Sequence, residues 1–227
     1  MKKHLVPKWV HLCFTNDGAV FLDLRRDQYF GLDGTAAQVL RSLVDGDDTA
    51  ACATLAGELV ARGLLTEDLR TARPLTPTRI VIPDCAFADS EIDDRPAVKI
   101  GHALMLIRIA VTVWGALRVR SIEYAVERFS SIKARHGTES TLNPRQTEEL
   151  IAVFLHLRPL LFVSRERCLM NALILAEFLQ RNGVNATCVF GVTTLPFAAH
   201  SWVQTEDIIA TEENRQFLLT FSPICAV

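Results

Sequence analysis

Two residues in the carboxyl-terminal third of the chain, Cys168 and His200, have the types that cysteine catalysis requires. Ser164 can cap a helix that starts near Arg165, which would place Cys168 in the first turn. There the free backbone N–H groups, the helix dipole and the neighbouring Arg165 and Arg167 all favour a thiolate. The sequence therefore predicts that this thiol ionises more readily than the other five cysteines.

Packing is the alternative explanation for this cysteine. Positions 168, 172, 175, 176 and 179 share one face of the predicted helix, and their residues are all apolar. On spacing alone, a buried structural cysteine therefore stays open as the alternative to a nucleophile.

His200 begins a predicted hairpin that also carries acidic residues. The segment LPFAAHSWVQTEDIIATEE indicates a strand, a tight turn at Glu206 and Asp207, and a return strand that ends at Glu212 and Glu213. A cysteine nucleophile needs a base to remove its proton, and an imidazole base needs an acceptor on its far nitrogen. The predicted chemical order is therefore cysteine, histidine and carboxylate, and pairing around the turn puts His200 opposite Glu213.

Helices are predicted to support this site in the second half of the chain. Apolar spacing predicts helices at about 100–119, 121–135, 144–157 and 165–182, and the run NATCVFGV predicts a central strand. The first of these helices is apolar on nearly all sides and contains His102 and Arg108, so we expect it at the centre of a core and not across a membrane.

A separate small module is predicted at the amino terminus. The strand-like runs WVHLCFT, AVFLDL and QYFGL are separated by turn residues, and Asn16, Asp17 and Gly18 form a hairpin signal. Two helices follow at about 36–44 and 49–62. Three antiparallel strands with two helices predict a winged-helix-like fold.

Charge argues against nucleic acid as a partner of this module. Residues 1–70 contain eight Lys and Arg against ten Asp and Glu, and the whole chain has a net charge of -2. A module of this shape can instead bind a peptide as an added strand along its sheet edge.

Cysteine spacing and the amino-terminal residues argue against two further classes, metal-binding proteins and secreted proteins. The six cysteines lack the spacing of metal ligands, so we expect no metal site. Pro7, Lys8 and His11 interrupt any secretory apolar run, so we expect a cytoplasmic protein.

The run DGAVFLDLRRDQYFGLDGTAAQVLRSL, closed by LVARGLL, resembles the precursor-recognition element of peptide-modifying systems. In that family the third strand and the last helix clamp a leader peptide. The resemblance thus implies a peptide-binding role for residues of these two elements, namely Gln28, Tyr29, Phe30, Gly31, Leu32, Leu55, Leu59 and Arg62. Core packing of Tyr29 and Phe30 stays open as the alternative.

The run CLMNALILAEFLQRNGVNATCVFGVTTLPFAAHSWV resembles the leader peptidases of lasso-peptide biosynthesis, which are transglutaminase-like, papain-like cysteine peptidases. The resemblance implies that Cys168 is the nucleophile and His200 the general base. The third member in that family is an Asp, where this chain has a Thr-Glu pair, so Glu212 is expected in this role, with Glu213 as the alternative. Phe162 stands where papain-type enzymes have the Gln of the oxyanion hole.

These patterns and resemblances predict an α+β protein in three parts. They are a recognition element at 1–70, a proline-containing linker at 71–98 and a papain/transglutaminase-like domain at 99–227. In the last domain we expect helices packed on an antiparallel sheet. The resemblance implies removal of the leader from a lasso precursor, which frees the core N-terminus for macrolactam formation by an asparagine-synthetase-like partner. It implies no cofactor in this chain, with ATP used through that partner. A transglutaminase-type acyl transferase and a non-catalytic leader-binding adaptor stay open as alternatives.

Overall fold

The computed structural model describes residues 4–89, 96–137, 139–161, 168–211 and 214–227. The chain divides into two compact units. Unit 1 comprises Met1–Ile80, Gly191–Ala199 and Ser222–Cys225, and unit 2 comprises Val81–Phe190, His200–Phe221 and Ala226–Val227.

Unit 1 contains the predicted three-stranded antiparallel sheet and two helices. Its elements along the first 80 residues are β1 (Leu5–Pro7), β2 (Val10–Phe14), β3 (Gly18–Asp23), β4 (Gln28–Asp33), α1 (Gly34–Asp45), α2 (Ala50–Ala61) and β5 (Ala72–Pro74). The larger sheet has the order β2-β3-β4, and β1 pairs with β5 in a separate antiparallel pair. The winged-helix assignment stays a prediction.

Turns and caps in unit 1 follow from the chemistry of single residues. A Cβ atom at Gly18 would lie 2.3 Å from the carbonyl oxygen of Leu32, so this close approach of two strands requires glycine. Gly46 ends α1 with a φ of 95°, in the left-handed region that glycine adopts without strain. Thr49 caps α2 because its hydroxyl oxygen accepts a hydrogen bond from the backbone N–H of Cys52 at 3.2 Å.

One face of the three-stranded sheet packs on both helices. The core contains Phe21 from β3, Leu40 from α1, and Leu55 and Leu59 from α2. Because successive strand residues point to opposite faces, Val20 lies on the other face of the sheet from Phe21.

The stretch predicted as a linker contains regular structure. Ala72–Pro74 forms β5, and Cys85–Ala86 forms β6, which pairs in parallel with the later strand β9 (Ile208–Ile209). Strands of two or three residues are too short to show an alternating pattern, so no local pattern predicted them.

Among the described residues, the remaining α-helices are four long and one short, and the remaining strands belong to a third sheet. They are α3 (Ile100–Val119), α4 (Ile122–His136), α5 (Pro144–Leu161), α6 (Cys168–Arg181), β7 (Thr187–Thr194), β8 (Phe197–Gln204), α7 (Arg215–Leu218) and β10 (Ser222–Ala226). The sheet has five strands in the order β10-β7-β8-β9-β6.

The central helix of unit 2 is α6, so the prediction that α3 would be central is wrong. α6 packs against α3, α4 and α5, and every residue from 172 to 180 is buried. α3 buries one face through Leu106 and Ile109, whereas Leu104 and Val111 on the other face are 58% and 63% exposed. When a helix has apolar residues on all sides, its sequence does not predict which face packs against another element.

By length and composition, α3 could cross a membrane, and it is the single helix in the described part of the chain that could. The core helix of a soluble protein can have the same length and apolar composition.

A buried carboxylate fixes α6 to α4. The side chain of Glu177 is 1% exposed, and Arg128 donates two hydrogen bonds to it, at 2.5 and 2.8 Å. Arg181 Nε donates a third, to Glu177 Oε1, at 2.8 Å. Both carboxylate oxygens are therefore paired, as a buried charge requires. The helix that begins at Cys168 is held in place by this network.

Candidate active site

Cys168 is the first residue of α6, and its side chain is half-buried. At the start of a helix the backbone N–H groups have no partner within the helix, so they can stabilise an anion. The predicted cap Ser164, the two arginines Arg165 and Arg167, and Phe162 all lie outside the described residues. Their roles stay predictions.

The structure brings Cys168 and His200 into hydrogen-bonding contact. This side-chain hydrogen bond is the largest cause that lowers the pKa of the Cys168 thiol. Burial opposes it by raising the pKa, while the charge of His200 and the backbone N–H groups of Ser201 and Leu169 lower it further. The net pKa lies below the ordinary value of 9.0, which favours the thiolate, the reactive form of cysteine.

Two phenylalanines contact the imidazole of His200. The ring centroids of Phe217 and Phe221 each lie 5.5 Å from the His200 centroid, at interplanar angles of 79° and 37°. The centroids of the two phenylalanine rings are 5.3 Å apart, and Asn214 caps α7 because its Oδ1 accepts a hydrogen bond from the backbone N–H of Phe217 at 2.9 Å. These contacts limit the orientations open to the imidazole ring.

Sequence reasoning missed this aromatic pair. The spacing of Phe217 and Phe221, four residues apart in FLLTF, was an available signal, but nothing in the sequence linked it to His200. Trp202, two residues after His200, is fully buried, and its Nε1 donates to Gln204 Oε1 at 3.0 Å. Trp202 is therefore a core residue.

The hairpin after His200 turns where the sequence predicts it. Gln204 on β8 pairs with Ile209 on β9, and the hydroxyl oxygen of Thr205 accepts hydrogen bonds from the N–H groups of Asp207 and Ile208 at 3.3 and 3.2 Å. The return strand β9 has two residues, so it is shorter than predicted.

The two predicted carboxylates, Glu212 and Glu213, lie outside the described residues. The choice between them as the acceptor for His200 stays a prediction.

A second cysteine–histidine contact in the chain has the opposite electrostatics. Cys225 Sγ lies 3.6 Å from His11 Nε2, but burial raises the pKa of Cys225 to about 12. Burial and the charge of Arg73 lower the pKa of His11 to about 3. A thiol that keeps its proton and an imidazole that resists gaining one cannot supply a thiolate. Of the two pairs, Cys168 with His200 is therefore the one suited to nucleophilic chemistry.

The predicted peptide-binding residues lie in two different environments. Gln28 to Leu32 belong to β4, which pairs with β3 and with no other strand in the described part of the chain. Leu55 and Leu59, in contrast, are 8% and 2% exposed and pack in the core of unit 1. They present little surface in this structure, and their part in peptide binding stays a prediction. Arg62 is exposed at the end of α2, and its carbonyl oxygen accepts a hydrogen bond from Arg26 Nη1 at 2.9 Å.

The chemistry available at this site is that of a thiol and an imidazole. Among the described residues, no group of three or more His, Cys, Asp or Glu side chains is placed to hold a metal ion. An activated thiolate with an adjacent base can form and break an acyl bond to sulfur.

Comparison with known families agrees with this chemistry. A family model described as the transglutaminase-like superfamily matches residues 103–226, which include both Cys168 and His200. No curated protein and no solved structure gives a match. Members of this superfamily are typically cysteine-based enzymes. Since the matched range is more than half of the chain, the protein belongs to the transglutaminase-like superfamily.

Proposed function

We propose that this chain is a cysteine peptidase that binds a ribosomally made lasso precursor peptide and removes its leader. The observation that carries the chemical part is the Cys168 thiol, whose pKa is lowered by its hydrogen bond to His200 within a transglutaminase-like domain. The resemblance of both halves of the sequence to lasso leader-processing proteins supports the choice of substrate. The superfamily alone is compatible with a peptidase or an acyltransferase.

In the proposed reaction, His200 takes the proton of Cys168, and the thiolate attacks the carbonyl carbon at the leader–core junction. The backbone N–H of Cys168, at the start of α6, is one donor for the oxyanion that forms. The imidazolium then protonates the departing amine, which leaves an acyl group on the Cys168 sulfur. Water, deprotonated by His200, hydrolyses this thioester and restores the thiol.

The proposed carboxylate partner of His200 is Glu212, with Glu213 as the alternative. A carboxylate that accepts a hydrogen bond from the far imidazole nitrogen fixes the tautomer and stabilises the imidazolium. Separate Glu212→Ala and Glu213→Ala variants distinguish the two, because the larger loss of cleavage identifies the partner.

The proposed route of recognition is strand addition. A leader segment that pairs with β4 gains backbone hydrogen bonds, while side-chain contacts set its register. In this proposal residues 1–70 capture the leader, 71–98 connect them to the peptidase at 99–227, and cleavage takes place in the cytoplasm. A macrolactam synthetase partner then uses ATP to close the ring on the freed core amine.

Co-expression tests this function. The chain is expressed with a lasso precursor peptide and an asparagine-synthetase-like macrolactam synthetase, and products are identified by mass spectrometry. We expect a freed leader with the native chain and none with Cys168→Ala. Cys85→Ser is the matched control, because Cys85 is an exposed thiol with no part in the proposed chemistry.

Each other outcome supports a different function. A leader joined to an added amine, without a freed leader, would show acyl transfer of the transglutaminase type. Unchanged lasso-peptide production with Cys168→Ala would show a non-catalytic adaptor. Either result would overturn the peptidase proposal.

A further inference from the structure

A cavity of about 520 Å³ lies in unit 1, on the face of the three-stranded sheet that does not pack on α1 and α2. Its floor includes Val20 of β3 and Gly31 of β4, which are directly paired. No atom lies within 4 Å of the position that a Cβ atom at Gly31 would occupy. The strand therefore leaves open space where another residue would place its side chain.

The wall of the cavity is aromatic and aliphatic. Tyr29 and Phe197 meet edge to face, with ring centroids 5.4 Å apart at an interplanar angle of 63°. Leu195 and Phe197 are 75% and 55% exposed. Large apolar side chains this exposed mark a surface suited to contact with a ligand.

The charge at the cavity is negative. Two exposed carboxylates, Asp17 and Asp33, contribute to the lining, and none of the described residues that line it is Lys, Arg or His. The hydroxyl of Thr194 lies 3.5 Å from Asp17 Oδ2 and 3.3 Å from the hydroxyl oxygen of Thr15, which ties the first carboxylate to the rest of the lining.

A basic side chain matches both properties. Lys and Arg have an apolar stem that packs on apolar surface and a cationic head that carboxylates attract. Cations also bind favourably over Tyr and Phe rings. The volume is within the range of about 300–1,000 Å³ that is common for ligand sites.

The position beside β4 connects the cavity to an extended peptide. β4 is an edge strand in the described part of the chain, so a peptide can pair with it. Alternate side chains of an added strand point to opposite faces of the sheet, so one set would face the cavity and not the helices.

We propose that this cavity is a specificity pocket for an Arg or Lys side chain of a peptide that pairs with β4. The pocket selects the basic residue through the carboxylates of Asp17 and Asp33 and through the rings of Tyr29 and Phe197. This inference rests on the proposed peptide-binding function of β4, and it identifies which side chain that function reads.

A peptide library tests the pocket. The full chain carrying Cys168→Ala, which prevents turnover in the proposed reaction, is immobilised and exposed to ten-residue peptides with Val at alternate positions and random residues between them. Captured peptides are sequenced by mass spectrometry. We expect enrichment of Arg and Lys at one position, and weaker capture of these peptides at high salt.

Three variants in the same background locate the effect. Gly31→Phe fills the open space, and Asp17→Asn with Asp33→Asn removes both charges. We expect each to weaken binding of a selected basic peptide by about tenfold. For the charge variant this is the value of roughly one or two partly exposed charge pairs, and for Gly31→Phe the new ring occupies the space of the basic side chain. Asp47→Asn with Asp48→Asn changes the charge of unit 1 equally at exposed positions outside the cavity, and should leave binding unchanged.

The outcomes separate the pocket from the function on which it rests. Two results would overturn the proposed specificity for Arg or Lys: captured peptides with no preference for a basic residue, or a preference that both pocket variants retain. Neither result would contradict the pairing of a peptide with β4. Failure to capture any peptide would overturn both. A circular dichroism spectrum of each variant that matches the parent shows that a loss of binding is not a loss of folding.

Discussion

Replacement of Glu177 by Ala tests how α6 is held in place. The side chain of Glu177 is 1% exposed and accepts hydrogen bonds from Arg128 on α4 and Arg181 on α6. Ala would leave two guanidinium groups without their anion, and their side chains are just 22% and 36% exposed. Neither cation could regain full hydration.

The expected cost is large because the change leaves the partly buried Arg128 and the more exposed Arg181 without the buried anion that pairs with both. Breaking a buried ion pair by removing one partner typically costs about 3–5 kcal/mol. We expect Glu177→Ala to lower the free energy of unfolding by about this amount, measured by urea denaturation at neutral pH. Since a domain of ordinary stability has about 5–15 kcal/mol in total, the transition should move to clearly lower urea.

An exposed pair of the same spacing is the control. Arg145 and Glu149 are also four residues apart, with an N–O distance of 3.6 Å, but their side chains are 86% and 60% exposed. Solvent screens such a pair, so Glu149→Ala should change stability by at most about 0.5 kcal/mol. Equal effects of the two substitutions would refute the reasoning, because burial would then not be the cause.

A double replacement separates the pairing from the charge. Replacing Glu177 and Arg128 together by Met removes both the anion and one cation, and buried pairs replaced in this way are often near neutral in stability. The double variant should therefore be more stable than Glu177→Ala. A double variant less stable than the single one would show that the ion pair itself, and not the penalty of an unpaired charge, provides the stabilisation.

Three further predictions follow from the described contacts. Cys168 should react with iodoacetamide at a lower pH than an ordinary thiol, and His200→Ala should move the rise in rate to higher pH, because it removes the main cause that lowers the Cys168 pKa. The free energy of unfolding should fall as pH drops from about 6.5 towards 3, by up to about 1.4 kcal/mol per pH unit. The reason is that His11 has a pKa of about 3 in the folded protein and takes up a proton on unfolding. The His11→Gln variant should lack this contribution. Gly18→Ala should cost about 1–3 kcal/mol, because the new Cβ would lie 2.3 Å from a backbone oxygen of β4.

Each of these predictions has a contradicting result. Site-resolved mass spectrometry that finds the Cys168 rate profile unchanged in His200→Ala would exclude the hydrogen bond as the cause of its ionisation. If urea titrations show that the free energy of unfolding falls equally with decreasing pH in the native chain and in His11→Gln, protonation of His11 is not the cause of that fall. A Gly18→Ala variant as stable as the native chain would mean that β3 and β4 can move apart at no cost.

The helices and strands of the first half were predictable because local signals were strong. Gly18, Gly46 and Thr49 each occupy a position where backbone geometry or capping restricts the residue type, and such restrictions are visible in sequence. β1 and β5 were missed because each has three residues and pairs with a partner distant in sequence. Pairing of that kind is a tertiary effect with no local pattern.

Burial was the property that sequence predicted least well. α3 has the more uniformly apolar sequence, yet α6 is the helix with neighbours on nearly every side. Leu55 and Leu59, which the resemblance assigned to peptide binding, lie in the core of unit 1. A helix pattern gives the residues on each face, while the packing of the other elements decides which face meets a partner.

The sequence alone determined the reactive residue types, their order along the chain and the elements that carry Cys168 and His200. Only the tertiary structure decided that these two side chains share a hydrogen bond, that Phe217 and Phe221 contact the imidazole, and that Cys225 beside His11 stays protonated. The physical reason is that ionisation depends on burial and on neighbours brought together by folding. Two cysteines that both contact a histidine can therefore have opposite pKa shifts, and the sequence around each does not show the difference.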